Sequence, residues 1–456
     1  MDKQYELNKA CETAFTNEPW LKVNYATGCY QQRLSHSIDN YRNLDLEKNR
    51  ALQVRRKSLY NLEKLLIDFE KSYTTNGGTV LWAKDSADAC HIITDILNKN
   101  QVTEVMRCQS DELEEVNINK NLKNANIKVN ATSVEGFILK SGGEKNFHPT
   151  MPTMNLSNEE INDILTKNYR LKANSTMKQM VNFIRFKVNE SMGNSKVILT
   201  GADFIISEEG GLVLVCDEGN VQKALSAADI HIAVVGFDRI VPSMNDLNIL
   251  LPLYSMYAFG QGIAINNTVL FGNGNNGSNP KKSYVIILDN GRSEVLKHEK
   301  QRNILSCIHC GACVNVCPIF KNIGGPAYNT AYVGPLGTVL SPLMKGMKNY
   351  AHLTSLCSMC GQCSKACPVQ IPLDSIMMLN RHEMIEKKYD DPKLDIFFKM
   401  LIKTYKSRKL MNMPAKIKNF TFKKMLDKNY GNRKNLPKFA PKTFSKMWQE
   451  MNHDNE

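Results

Sequence analysis

Cys307-Ile308-His309-Cys310-Gly311-Ala312-Cys313-Val314-Asn315-Val316-Cys317-Pro318 and, fifty residues on, Cys357-Ser358-Met359-Cys360-Gly361-Gln362-Cys363-Ser364-Lys365-Ala366-Cys367-Pro368 write one spacing twice: x2, x2, x3, then proline. Eight of the 13 cysteines fall within these 61 residues, a density that packing does not explain. Three thiolates at x2 intervals share one tight loop and can take three corners of an iron-sulfur cube, while the fourth, before proline, ligates the neighbouring cube. On that pattern Cys307, Cys310, Cys313 and Cys367 hold one [4Fe-4S] cluster, and Cys357, Cys360, Cys363 and Cys317 hold a second. Gly311 and Gly361 follow the second cysteine of each run, where a side chain would crowd the cluster and a positive φ is easily reached. Zinc sites pair two cysteines with a second pair or with histidines, and disulfide frameworks belong to short secreted chains. Neither matches two runs of four. His309 and Met359, inside the loops, read as neighbours of the clusters and not as ligands.

Outside these runs, composition sets the bounds. At 456 residues and 42% hydrophobic, the chain has room for two or three globular domains. Its N-terminus lacks the basic start and apolar run of a signal peptide. The greasiest stretch, Leu247 to Ile265, is broken by Pro252, Gly260, Gln261 and Gly262 and is too short to span a bilayer. A cytoplasmic location is expected, which also suits the five further cysteines Cys11, Cys29, Cys90, Cys108 and Cys216. Of the net charge of +13, +10 lies between Arg381 and Glu456, where 19 Lys/Arg face 9 Asp/Glu. Such a basic tail suits an anionic membrane face, an acidic partner or plain solvation. No nucleic-acid-binding motif accompanies it, so nucleic acid is not an expected partner.

Taken in order, residues 1–75 read as helical, with Leu52, Leu59, Leu62, Leu66 and Phe69 marking the buried stripe of one long helix. Asn76-Gly77-Gly78 is a turn. An α/β alternation follows: strands at 79–83, 102–107, 127–129 and 136–139, helices at 86–97 and 111–124. Ser157-x2-Glu160 signals a capped helix start. The apolar runs at 197–199, 211–216, 230–235 and 284–288 predict strands covered on both faces, as in a parallel or mixed sheet. Residues 272–280 read as a loop by composition. The 39 residues between Cys317 and Cys357 exceed what a compact hairpin ferredoxin needs, so helices are expected to carry the clusters. A helix is predicted at 373–381, with Met377 and Met378 as core filler. Beyond Asp390 helical pieces are separated by prolines, and Trp448 with Phe444 would pin the tail to a groove.

Polar residues punctuate the strand ends, where open α/β sheets bind ligands. Glu208, Asn220, Asp289 and Arg292 are the weak candidates there for handling a small acid; equally, glycines, asparagines and acids are ordinary turn formers and caps. No G-x-G-x-x-G fingerprint or Walker A lysine loop is present, so NAD or nucleotide binding has no motif support.

The order of these motifs resembles one family, lactate utilisation protein B, the iron-sulfur subunit of bacterial L-lactate oxidation. The matching stretches are Asn76-Gly77 to Trp82-Ala83, Thr200-Gly201-Ala202-x-Phe204, Glu208-x-Gly210, Glu218-Gly219-Asn220, His231-Ile232-Ala233, Leu288 to Ser293 leading into Cys307, and Ile323-Gly324-Gly325-x-Ala327-Tyr328. Departures are Glu209 where the family tends to have threonine, Glu135-Gly136 in transposed order, the loop after Phe271, and a C-terminus similar only around Phe444 to Trp448. The resemblance implies a LUD domain of the sugar-isomerase and CoA-transferase-like α/β class, a mixed sheet with helices on both faces, followed by an α-helical two-cluster ferredoxin domain. The expected division is a helical segment at 1–75, the LUD domain at 76–296, the ferredoxin domain at 297–385 and a basic tail at 386–456. It further implies an electron-transfer component, not NAD-dependent, of a complex oxidising L-lactate to pyruvate, with a cysteine-rich subunit and a smaller LUD protein as partners. Glu208 falls where related CoA-transferase-like folds carry an active-site glutamate. The alternatives are glycolate or another 2-hydroxy acid as substrate, or a LUD domain acting itself on a small acid.

Overall fold

The computed structural model describes residues 3–17, 20–216, 218–262, 266–272, 280–389, 392–420, 423 and 438–453. The chain divides into two compact units, Met1–Met384 and Ile385–Glu456.

The first unit is built on six parallel strands, β1 (Thr79–Ala83), β2 (Glu104–Arg107), β3 (Lys128–Ala131), β4 (Val197–Thr200), β7 (Ile230–Gly236) and β10 (Lys282–Leu288), in the order β1-β10-β7-β4-β2-β3. Their apolar runs are long because both faces are covered. Ile230, Ile232 and Val234 of β7 meet Ile93 and Leu97 of helix Ser86–Lys99, together with Leu113 and Leu122. Ala233 and Val235, one residue out of step, meet Leu65, Phe69 and Tyr73 of helix Leu62–Thr75. Further along that second face, Met106 and Ile198 lie against Ile184 and Val188 of helix Met177–Asn194. Each such fully buried side chain contributes about 1.5–3 kcal/mol, so the two layers hold the sheet from both sides.

The remaining strands, β5 (Phe204–Ile206), β6 (Gly211–Cys216), β8 (Ile240–Val241) and β9 (Asn266–Leu270), form a second, mixed sheet in the order β8-β5-β6-β9. The run at 211–216 therefore belongs to a different sheet from the other three. Its entry turn ends at Gly210, φ +63°, where a Cβ would fall 2.5 Å from the Tyr73 backbone nitrogen; only glycine lets the turn rest on that helix.

Three local expectations are corrected. The long N-terminal helix is two, Leu44–Tyr60 and Leu62–Thr75, meeting at Asn61, whose side chain donates to the Lys57 carbonyl. Residues 136–139 are helical, within Val134–Gly142, because the Ser133 hydroxyl accepts from the Gly136 N–H and Gly143 closes the far end at φ +67°. The helix at 111–124 breaks into Asp111–Glu115 and Ile118–Asn124 at Asn117, φ +55°. The capping box at Ser157 and Glu160 forms as read. Of the loop at 272–280, residues 273–279 lie outside the described residues.

The cysteine runs belong to a helical segment carrying Ala312–Asn315, Pro318–Ile323, Gly334–Lys345, Met347–Thr354, Gln362–Ala366 and Leu373–Glu386. It packs on the loops that leave the carboxyl ends of β2, β7 and β10: Asp111, Asp238 and Arg292 all reach it. Two earlier helices, Lys3–Asn17 and Trp20–Asp39, also serve this segment, Ala14 and Val23 burying against Val314, Phe320 and Tyr328. Met377 is buried and Met378 exposed, so only the former fills a core. The second unit holds helices Pro392–Tyr405, Arg408–Met411 and Phe444–His453. In it Phe444 and Trp448 stack on each other at 5.9 Å, and both are exposed. Among the described residues no helix is long and apolar enough to cross a membrane.

Candidate metal centre

Both cysteine loops adopt the same backbone. His309 and Met359 take φ +56° and +57°, Gly311 and Gly361 +72° and +70°, which curls three cysteines round one point. The N–H groups of His309 and Met359 each donate to the leading cysteine sulfur, Cys307 or Cys357, at 3.3 Å. The fourth cysteines stand at turns where Phe320 N–H reaches Cys317 Sγ at 3.5 Å and Ile371 N–H reaches Cys367 Sγ at 3.3 Å. Pro318 opens helix Pro318–Ile323, where a residue without an N–H wastes no donor.

The folded chain brings Cys307, Cys310, Cys313 and Cys367 round one cavity. Cys317, Cys357, Cys360 and Cys363 surround another. Each cavity thus faces four thiols, three from one x2-x2 loop and one from the other, not the two pairs or the cysteine-histidine sets of zinc. That geometry fits a cube better than zinc. The Ser306 hydroxyl, next to Cys307 in the chain, is buried without a hydrogen-bond partner among the described residues, as expected where the remaining partner is not protein. Burial, then the neighbouring Cys367 sulfur, pushes the Cys307 thiol up to about 12; burial, then Cys357, does the same for Cys363. Iron would have to displace those protons. When bound, an iron-sulfur cluster supplies one-electron redox chemistry.

A buried ionic network lies against the first loop. Arg292, 1% exposed, donates from both Nη atoms to Glu115 at 2.9 Å and from Nε to Asp238 at 2.6 Å, and Nη2 also reaches Tyr332 Oη. Tyr332 in turn donates to Glu115 at 2.5 Å. Burial works to raise the Glu115 carboxyl, but the Arg292 charge, with hydrogen bonds from Arg292, Tyr332 and Asn290, holds it below its ordinary value. Asp238 is likewise held well below against burial, chiefly by Arg292 and then His309. Arg239 pairs with Glu112 at 2.7 Å, and His309 Nδ1 lies 3.3 Å from Asp111. Loop 1 is thus bolted to the sheet's carboxyl edge. Among the described residues no buried ion pair lies against loop 2, and its Cys360 is exposed where its counterpart Cys310 is buried.

Of the four candidate acid-handling residues only Asp289 and Arg292 meet, Arg292 Nη1 donating to the Asp289 backbone carbonyl at 3.1 Å. Glu208 is exposed on the β5–β6 turn, its N–H donating to the Pro242 carbonyl. Asp289 caps helix Arg292–Lys297 by accepting from Ser293 N–H and Oγ, and Arg292 is the hub of the buried network. Only Asn220, donating to Glu218 at 2.7 Å, faces the cavity at the carboxyl ends of β2, β3 and β4. That cavity lies where the strand order reverses, a usual ligand position. Its walls carry Asp111, Glu112, Glu135, Asp203 and Glu218 against one guanidinium, Arg239. Arg55, Glu112, Glu115, Asp238 and Arg239 escaped the sequence, since isolated charges carry no spacing signal; Phe237-Asp238-Arg239, polar after a buried strand, was the one available hint.

The LUD domain family matches residues 66–289, and the 4Fe-4S dicluster domain family matches residues 303–371. An uncharacterised electron transport protein, YkgF, of Escherichia coli K12 is 33% identical over 78% of this chain and 76% of its own length. Lactate utilization protein B 2 of Bacillus mycoides is 31% identical, and Lactate utilization protein B of Bacillus cereus strain B4264 is 30% identical, each over 90% of this chain and 88% of the relative. A crystal structure of a DUF162 family protein from Deinococcus radiodurans overlaps 50% of this chain and 98% of its own at 18% identity, with a TM-score of 0.29, too slight a likeness to bear on the fold.

Proposed function

The chain belongs to the lactate utilisation protein B family, and from that premise we propose that it is the iron-sulfur electron carrier of a complex oxidising L-lactate to pyruvate. An iron-sulfur electron-transfer role in lactate utilisation follows from the family; the substrate, the ligand sets and the division of labour are our reading. The observation that carries it is the pair of cavities, each ringed by three cysteines of one loop and the fourth of the other. Oxidising a 2-hydroxy acid removes two electrons, so two one-electron sites on one chain can take the pair in succession.

Within the chain, Cys307, Cys310, Cys313 and Cys367 hold cluster 1 and Cys317, Cys357, Cys360 and Cys363 hold cluster 2. Arg292, Tyr332 and Glu115 keep loop 1 seated on the LUD domain, while the exposed Cys360 puts cluster 2 within reach of an outside partner. The acid excess in the LUD cavity repels a small carboxylate anion. That favours a substrate held by another subunit, a cysteine-rich chain or a smaller LUD protein, over a LUD domain that acts alone through Glu208, Asn220, Asp289 or Arg292. The reading places the assembly in the cytoplasm, where thiols stay reduced.

Purified without oxygen, the chain should hold about eight irons, two cubes of four, and a brown chromophore that dithionite bleaches, with no lactate turnover. Mixed with its partners, L-lactate should reduce both clusters by electron paramagnetic resonance. Zinc in place of iron would overturn the electron-relay reading, and turnover by the lone chain would overturn the division of labour.

A further inference from the structure

Each cluster loop is held by one arginine through the backbone carbonyls next to its leading cysteine. For loop 1 it is Arg55 of helix Leu44–Tyr60, whose Nε donates to Ser306 O and whose Nη2 donates to Leu305 O, both at 3.1 Å. For loop 2 it is Arg381 of helix Leu373–Glu386, donating to Thr354 O at 2.8 Å and Cys357 O at 2.6 Å. The two differ in surroundings. Arg55 is 0% exposed, and its other bonds also end on carbonyls, those of Ile240 and Asp238. No carboxylate among the described residues pairs with it, and the nearby Asp238 carboxylate is held by Arg292. Arg381 is half-buried.

A guanidinium taken out of water without a paired carboxylate is costly unless something else supplies negative charge. Four thiolates round an iron-sulfur cube are net anionic in both oxidation states, and more so when reduced. We propose that Arg55 is a positioning residue that raises the reduction potential of cluster 1, its buried charge favouring the reduced form, and that Arg381 does the same for cluster 2 more weakly because solvent screens it. Charge and hydrogen bonding near the sulfurs are established levers on such potentials, and screening is far smaller for buried groups. Burial lowers the Arg55 pKa to about 10; Asp238 acts to raise it, Arg239 to lower it, and the Cys307 sulfur, also within electrostatic reach, to raise it. The rest of the buried network sets two cations, Arg239 and Arg292, against three carboxylates, Glu112, Glu115 and Asp238, so Arg55 balances its one excess negative charge, and Arg55→Gln removes that balance beside cluster 1.

The proposal rests on the two-cluster reading, and its test separates the two. The anaerobic full-length chain is titrated with dithionite and followed by electron paramagnetic resonance, each signal being assigned in Cys307→Ala and Cys357→Ala backgrounds. Arg55→Gln should lower the cluster 1 midpoint and leave cluster 2 in place; Arg381→Gln should lower cluster 2 by less; Arg55→Lys should keep the wild-type values. Unchanged midpoints in Arg55→Gln, or equal shifts at both clusters, would overturn the proposal. If Arg55→Gln loses iron at site 1, Arg55→Lys decides: retained iron at the wild-type potential supports a charge effect, and equal loss shows a tie by hydrogen-bond geometry alone. A wild-type chain with no clusters would instead remove the functional reading itself.

Discussion

Loop 1 and loop 2 share spacing, backbone angles and the N–H bond to the leading sulfur, yet one is clamped by a buried ionic network and the other opens to solvent at Cys360. The cysteine spacing is therefore written locally and twice, while the environment is written once, by residues as far as 251 positions away. The most drastic way to break the comparison is to remove ligands from opposite loops. Cys317→Ala, though in loop 1, should abolish the cluster 2 signal, and Cys367→Ala should abolish that of cluster 1, each with about half the iron lost by elemental analysis. If Cys317→Ala instead erased the same signal as Cys307→Ala, each loop would be holding its own cube, and the crossed arrangement would be wrong.

A next test strikes the clamp alone. Arg292→Leu leaves Glu115 and Asp238 buried, 0% and 2% exposed, without their cation. Breaking a buried ion pair on one side costs about 3–5 kcal/mol, to be read in equilibrium denaturation, and cluster 1 should become more labile to chelators than cluster 2. Equal lability at both sites would show that the network does not belong to loop 1.

These two tests divide along the line of what the sequence made visible. The cysteine runs were legible because cube ligation depends on neighbours three residues apart, and the buried strands because apolar runs survive without context; β4, β7 and β10 sit where they were read. The helix Val134–Gly142 was misread as a strand, since four apolar residues carry no period and the deciding signal was the Ser133 cap. Arg55, Asp238 and Arg239 could not be seen. Each is a single charge whose partner is set by tertiary packing, as with Arg55 and Ser306, 251 positions apart. Conversely Asp289 and Arg292 attracted notice as strand-end polar residues, and the fold uses them as a cap and a hub.

A milder test asks whether burial of charge at loop 1 differs in kind from burial in the sheet, where a histidine is kept neutral. His231 of β7 is 0% exposed, with Nε2 2.7 Å from Thr200 Oγ1, and burial lowers its pKa to about 4. The unfolded chain, with an ordinary histidine near 6.5, binds that proton first, so between about 6.5 and 4 stability rises with pH and falls as pH drops. The contribution is fully present above 6.5. At pH 5 about 2 kcal/mol should be missing relative to pH 7, and His231→Gln should flatten that part of the slope. A slope unaffected by the substitution would mean that His231 is not the group responsible.

The smallest effect expected is also the sharpest probe of the shared backbone. Gly311 and Gly361 have nearly the same left-handed angles, and a Cβ at either would meet one neighbour at 3.4 Å, His148 Cε1 or Asp374 Oδ2. An alanine there carries a conformational cost of about 1 kcal/mol, and because the angles and the spare room match, Gly311→Ala and Gly361→Ala should lose stability equally to within a few tenths of a kcal/mol. Any larger gap cannot come from the loops themselves. The contact at Gly361 is with Oδ2 of the half-buried Asp374, whose hydrogen bonds from Ser364 and Ser375 end on Oδ1, whereas His148 is fully buried and packed edge-on against Phe320 at 5.6 Å. An excess cost at Gly311 would therefore measure how rigidly the socket holds loop 1, and an excess at Gly361 would contradict the contrast between a clamped loop and an open one.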